Sequence, residues 1–179
     1  MILSIGKTNE ALLPVEELTE FLQLGIDETG NTRQTALLVS SLLTSIVEIE
    51  NKTGQHILSK PCTVDMLKTA GTKIPFGSTT QISNIRIFDQ FENQFFDFVY
   101  NVQTDCTDLI ISWSTTTAKL FVKFQIGHQS WASVPSDLQQ AVIGLSAHNY
   151  RTRFDEGSNG QQIPKFILGL IEKYRKIRV

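Results

Sequence analysis

Apolar positions recur every three to four residues at both ends of the chain and every second residue in its middle, a pattern that predicts helices flanking a β-rich segment. Pro14 opens the first periodic stretch, Glu16 and Glu17 follow in what would be its first turn, and Leu18 and Leu22 stand one turn apart; a short amphipathic helix stopped at Gly25 is expected. From residue 31 or 32 to about Thr53, Leu38, Leu42, Ile46 and Ile49 keep helical spacing. Leu37, Val39, Leu43 and Val47 widen the apolar surface beyond one stripe, so this long helix is expected to be the central one, contacted on more than one side.

Gly54 ends that helix, and between Leu58 and about Gly127 the period becomes two. Phe96, Phe98, Tyr100 and Val102 alternate with Asp97, Val99 and Asn101, and Leu120, Val122, Phe124 and Ile126 alternate with Phe121, Lys123 and Gln125. Ile82–Phe88 and Leu109–Trp113 are further strand candidates, with turn residues supplied by Asp89–Asn93 and Ser114–Thr117. The helical period returns after Trp131. Pro135 and Ser136 start a helix with Asp137 in its first turn and Leu138, Ala141, Val142 and Leu145 on one stripe; after the polar loop 155–160, Pro164 begins a last helix with Ile163, Phe166, Ile167, Leu170, Ile171 and Tyr174 on one side.

The expected fold class is therefore α+β: a mainly helical bundle of about four helices, with a β-rich insert of four to six strands between the second and third. Residues 1–57 would supply the N-terminal helices, 58–130 the insert docked on them, and 131–179 the C-terminal helices and a basic tail. No internal repeat or low-complexity linker separates independent domains.

Composition narrows the function. The 179 residues suit one sizeable core with a subsidiary lobe, and the apolar runs are far shorter than the roughly 20 residues a membrane helix needs. No secretory leader is visible at Met1–Lys7, so residence in the cytoplasm is expected, and Cys62 and Cys106, outside any CxxC spacing, are expected as free thiols. A net charge of −2 argues against a globally basic nucleic-acid binder. Charged residues make up only 19% of the chain, and Ser, Thr, Gln and Asn fill the difference. Such a surface can be covered by another protein without stranding many charges, although compositional drift gives the same numbers.

Chemistry-bearing clusters are scarce. His56, His128 and His148 are far apart and form no HxxxH or HxH pair, so no metal site is expected. His148 lies near an apolar stripe, where a packing or interface role outweighs a general-base role. Phosphate-loop, dinucleotide and nucleophile-elbow motifs are absent, and the acids Glu16, Glu17 and Glu20 read as a dipole-matched helix face. No catalytic residue, cofactor or metal is expected. The aromatic run Phe95–Tyr100 would suit a base-stacking platform, but its nearest charges, Asp89, Glu92 and Asp97, repel phosphate; a sequence-independent nucleic-acid module on the β insert is the alternative reading. The basic cluster Lys173, Arg175, Lys176 and Arg178 is either a dipole-matched helix end or a tail for an acidic groove on a partner or for a position close to DNA.

The order of these pieces carries a resemblance. A second helix ending in the segment 49–58 (IENKTGQHIL), a strand 121–128 (FVKFQIGH), the run 134–141 (VPSDLQQA), the run 147–153 (AHNYRTR), and Ile163-Pro164 leading to Tyr174-Arg175 together resemble the head–tail connector (adaptor) proteins of tailed bacteriophages. Gln55 stands where that family often has Arg, and His128 where it has an aromatic residue. The resemblance implies a structural, non-enzymatic ring of twelve copies beneath the portal protein at the capsid vertex, assembled in the host cytoplasm. The ring would extend the DNA channel toward a stopper or tail-completion protein, and genomic DNA would pass without sequence-specific binding. It makes Lys173, Tyr174, Arg175, Lys176, Arg178 and Val179 the portal-facing candidates, and His148, Tyr150, Arg151 and Arg153 candidate contacts with a neighbouring subunit or partner.

Overall fold

A computed structural model describes residues 2–24, 32–67, 72–75, 81–89, 91–95, 98–102, 108–113, 119–152 and 163–175. It is an α+β structure of four α-helices, with a β-rich insert between the second and third. The helices are α1 (Val15–Phe21), α2 (Thr32–Thr53), α3 (Ser136–Thr152) and α4 (Lys165–Glu172). The strands are β1 (Ile2–Ile5), β2 (Lys60–Leu67), β3 (Thr72–Pro75), β4 (Ile82–Asp89), β5 (Gln94–Phe95), β6 (Phe98–Val102), β7 (Asp108–Trp113) and β8 (Lys119–Ile126). Four to six strands were expected in the insert; among the described residues it holds seven segments, β5 being only two residues long. The chain divides into two compact units, Met1–Asn9 with Leu58–Gln129, and Glu10–Ile57 with Ser130–Val179.

In the β unit, five antiparallel strands run in the order β1-β2-β8-β4-β5, and three more in the order β3-β7-β6. Register follows the alternation of β8: Leu120, Val122, Phe124 and Ile126 are buried, while Phe121, Lys123 and Gln125 are not. Those four pack with Cys62, Val64 and Ile87, and Ile82 and Ile85 lie against the cluster. A register shift between Ser83 and Arg86, with Asn84 at φ 54°, marks a bulge in β4 beside which Asn84 Nδ2 donates to Gln125 Oε1 at 2.9 Å. The N-terminal strand was not anticipated: four residues with no alternation carry no strand signature until β2, some sixty positions away, supplies the partner.

In the helical unit three of the four helix starts, those of α1, α3 and α4, coincide with a proline. Pro14 and Pro164 precede α1 and α4 directly, and the Pro135 carbonyl accepts the Gln139 amide of α3 at 3.0 Å. The first helix does not reach Gly25. Leu24 N donates to Thr19 O and Gln23 N to Glu20 O, with Gln23 at φ 54°, the left-handed C-terminal cap that ends α1 after Phe21. Gly54, at φ 71°, closes α2 and donates its amide to Glu50 O at 2.7 Å. Beyond it, the buried Glu50 carboxylate accepts the Ile57 amide at 2.9 Å and stands 3.8 Å from His56 Nδ1, so one acid on α2 fixes how the chain leaves the helix.

The long helix α2 packs against α1, α3 and α4, so it is contacted on more than one side as expected, and α3 is the more deeply buried of the two. Leu138, Ala141, Val142, Ile143, Leu145, Ala147 and Tyr150 are all buried, because α3 packs against α1, α2 and α4. On α2 only the stripe Leu38, Leu42, Ile46 and Ile49, with Ser45, Glu50 and Thr53, is buried; the widening residues Leu37 and Val47 face solvent. One polar pair crosses the apolar contact of these helices: Asn149 Nδ2 donates to Ser45 Oγ at 3.1 Å, and that hydroxyl donates to Ser41 O at 2.8 Å. A 3₁₀ turn, Trp131–Ser133, is tied down on both sides: the Trp131 indole donates to Glu17 Oε2 at 2.6 Å, and its carbonyl accepts Gln139 Nε2 at 2.8 Å.

Candidate assembly surfaces

At about 100° per residue, the face of α2 opposite its buried stripe carries Leu37, Ser40, Thr44, Val47 and Asn51, all exposed. Leu37 is 39% and Val47 50% exposed. None of the five is charged, and no charged residue occurs anywhere in 34–47. Solvated helix faces ordinarily carry charge, whereas the centres of protein interfaces are depleted of it. The short side chains of Ser40 and Thr44 lie along this face between the larger Leu37 and Val47, and Thr44 Oγ1 donates to Ser40 O at 2.9 Å.

A second surface is built by α3 and α4. Phe166 was expected on the packed side of α4, and Ile167 and Ile171 are indeed buried there, but Phe166 is 63% exposed. Its ring lies over Gly144 of α3, where even a Cβ atom would stand 3.2 Å from the ring edge. Gly144 belongs to the incompletely buried side of α3 together with Gln140, His148 and Arg151. Phe166 is thus an aromatic knob held against a helix whose outer side stays open. Its signal was present in the sequence only as a helix with more apolar residues than one stripe needs.

The portal-facing candidates begin at the end of α4. Lys173 pairs with the Asp137 carboxylate in the first turn of α3, and its Nζ stands 5.1 Å from the Tyr174 ring centre. The hydrogen bond that Lys173 donates to Asp137 holds its ammonium above the usual lysine range. Tyr174 is half-buried, and its carbonyl accepts Gln55 Nε2 at 3.4 Å. Arg175 is exposed, and its amide donates to Glu172 O at 3.1 Å. Lys176, Arg178 and Val179 lie outside the described residues. Of the other candidates, His148 is half-buried, Arg151 exposed, Tyr150 a core side chain, and Arg153 outside the described residues.

In the β unit one aromatic stands out. Phe91, 73% exposed, sits at the β4–β5 turn, where Asp89 Oδ1 accepts the Phe91 and Asn93 amides at 2.8 Å each and Oδ2 accepts Asn93 Nδ2 at 3.0 Å. The Asn93 side-chain bond, helped by the two amides, holds the Asp89 carboxyl below the usual range. Two groups whose titration burial shifts, Cys62 and His128, offer no reactive chemistry. Burial pushes the Cys62 thiol up to about 11, far from a thiolate nucleophile, and burial also lowers His128, whose Nδ1 has no hydrogen-bond partner. Among the described residues no group of three His, Cys, Asp or Glu side chains is placed to hold a metal ion, and no helix is long and apolar enough to cross a membrane. An open groove of ≈ 500 Å³ is lined by Val15, Glu16, Thr19, Glu20 and Leu24.

Four helices interrupted by an antiparallel β insert define an α+β fold that is found in the necks of phage-like particles. The chain is similar over 100% of its length to a chain in the neck of an empty gene transfer agent (GTA) particle computed with C6 symmetry, at 24% identity and TM-score 0.71, with 97% of that chain covered. It is similar in the same way to a chain in the virion of the native GTA particle (24%, TM-score 0.70) and to one in the native GTA neck computed with C12 symmetry (22%, TM-score 0.67), with 100% of this chain and 97% of each of those covered. No protein-family model and no curated protein matches the sequence.

Proposed function

We propose that the chain is a structural neck component of a tailed phage or phage-like particle: a head–tail connector (adaptor) whose copies form a ring under the portal protein. The observation that carries this reading is the end-to-end likeness of the whole chain, helices and β insert together, to chains of GTA necks and virions. The sequence resemblance to phage connectors points the same way independently. In this role the ring holds twelve copies, extends the DNA channel, and offers a docking surface to a stopper or tail-completion protein. The protein sits at the capsid vertex in the virion and assembles in the host cytoplasm.

The role asks for shape and contact rather than turnover. Apolar and uncharged surface exposed on a helical unit is what lateral packing uses. With Lys173 held by Asp137, the charge left for an acidic site on the portal is that of Arg175, Lys176 and Arg178. A mildly acidic chain lets DNA slide rather than grip it, which agrees with passage of the genome without sequence-specific contact.

Electron microscopy of the purified protein, alone and mixed with its cognate portal, tests the reading. Annular particles, or an added layer on the portal that is lost when residues 173–179 are deleted, are the expected result. A monodisperse monomer that ignores the portal would end the proposal.

A further inference from the structure

We infer that neighbouring copies in the ring are joined by the uncharged outer face of α2 on one copy and the Phe166 knob of α3 and α4 on the next. The inference rests on the ring reading above and names the residues that would make it work. A closed ring of more than two copies needs a heterologous contact, in which two different patches of the same chain meet, and each copy must present both. The helical unit presents two such patches. One is the strip of short side chains Ser40 and Thr44 between the larger Leu37 and Val47. The other is Phe166, seated on Gly144, whose side of α3 also carries Gln140, His148 and Arg151.

The two are complementary in kind. The α2 sequence is bare of charge along 34–47, a length of about 20 Å at 1.5 Å per residue, and Glu48, half-buried, follows one turn beyond Thr44. That run offers neither the positive charge DNA phosphates need nor the negative charge the basic C-terminal tail needs to offset desolvation. The groove on α1 with Glu16 and Glu20 serves cations better. What an uncharged strip of short side chains between larger apolar ones fits is a projecting apolar side chain, and buried aromatic anchors dominate interface energetics. Phe166 is the most exposed apolar side chain described in the helical unit, on a helix separate from α2.

The experiment uses the full chain and reads ring formation by electron microscopy and mass by light scattering, with and without the cognate portal. Thr44→Glu and Phe166→Lys change exposed positions, so each variant is expected to keep its thermal melt and to lose at least tenfold in ring yield. In a heterologous contact every interface contains one of each position, so the double variant Thr44→Glu/Phe166→Lys is expected to recover rings. A parallel pair, Val47→Lys with Phe166→Glu, guards against a folding defect in one variant. Rings that persist in the single variants, rings that fail to return in both double variants, or a loss of portal binding with rings intact would each overturn the inference while leaving the connector reading in place. A wild-type chain that forms no ring under any of these conditions would overturn both.

Discussion

Helices α2 and α3 have apolar residues on more than one side, yet only α3 uses them all within its own chain. On α3 every Leu, Ile, Val, Ala and Tyr is buried, against α1, α2 and α4. On α2 the stripe Leu38, Leu42, Ile46 and Ile49 is buried, whereas Ala36, Leu37 and Val47 stay in solvent. The two patterns look alike on paper because periodicity counts apolar faces and does not say what covers them. A helix enclosed by its own fold and a helix with one open face differ only in what lies outside the segment.

The largest test of that difference is truncation on each helix. Leu145→Ala, at a fully buried position, is expected to lower unfolding free energy by about 2–5 kcal/mol. Val47→Ala, on the open face, should stay within about 0.5 kcal/mol of the parent in the unassembled protein. Urea unfolding followed by circular dichroism reads both. Equal losses would mean that α2 is enclosed in solution after all, and the comparison would fail.

Next in size is the acid inside the packed side of α2. Glu50→Ala leaves the buried Ile57 amide without its acceptor and is expected to cost about 1–3 kcal/mol. Glu50→Gln keeps an oxygen at that place and should recover most of the loss. If Ala and Gln variants unfold together, the carboxylate is not what holds the chain as it leaves α2.

The polar pair between the two helices sharpens the comparison further. A double-mutant cycle on Ser45→Ala and Asn149→Ala should give a coupling of about 0.5–1.5 kcal/mol, the worth of one buried hydrogen bond. Additive losses would show that each side chain acts through other neighbours.

Much of the fold is legible in the sequence, and the limits are physical. Pro14, Pro135 and Pro164 mark helix starts because proline suits a first turn, and β8 is plain because its two faces differ in burial. Strand β1 is not legible, since a short edge strand owes its existence to a distant partner. The end of α1 is set by Gln23 in a left-handed conformation that glycine usually takes, so Gly25 is a misleading stop signal. Of the candidate surfaces, the basic end of α4 is visible as composition, but the capture of Lys173 by Asp137 joins residues 36 positions apart and cannot be read locally. The open face of α2 did leave a trace, the charge-free run 34–47, which reads as core until the structure turns half of it outward.

That capture gives the smallest test, and it extends the comparison to charge, because α3 finds a partner within the chain even for its exposed first-turn acid. Lys173 is raised above its ordinary value of 10.5, chiefly by the Asp137 hydrogen bond. A raised lysine contributes stability that is fully present below 10.5 and is lost as pH climbs through the higher folded value, so the effect lies in the alkaline range and is invisible near neutrality. Titration of the Lys173 side chain by NMR, from about pH 9 to about pH 12, should show its midpoint falling toward the ordinary lysine range in Asp137→Asn. The thermal melt of that variant should match the parent at neutral pH to within a small shift, because an exposed pair in water is screened. An unchanged Lys173 midpoint would mean that the ammonium is not held by α3, and the end of α4 would then have to be counted, like the outer face of α2, among the surfaces the chain leaves open.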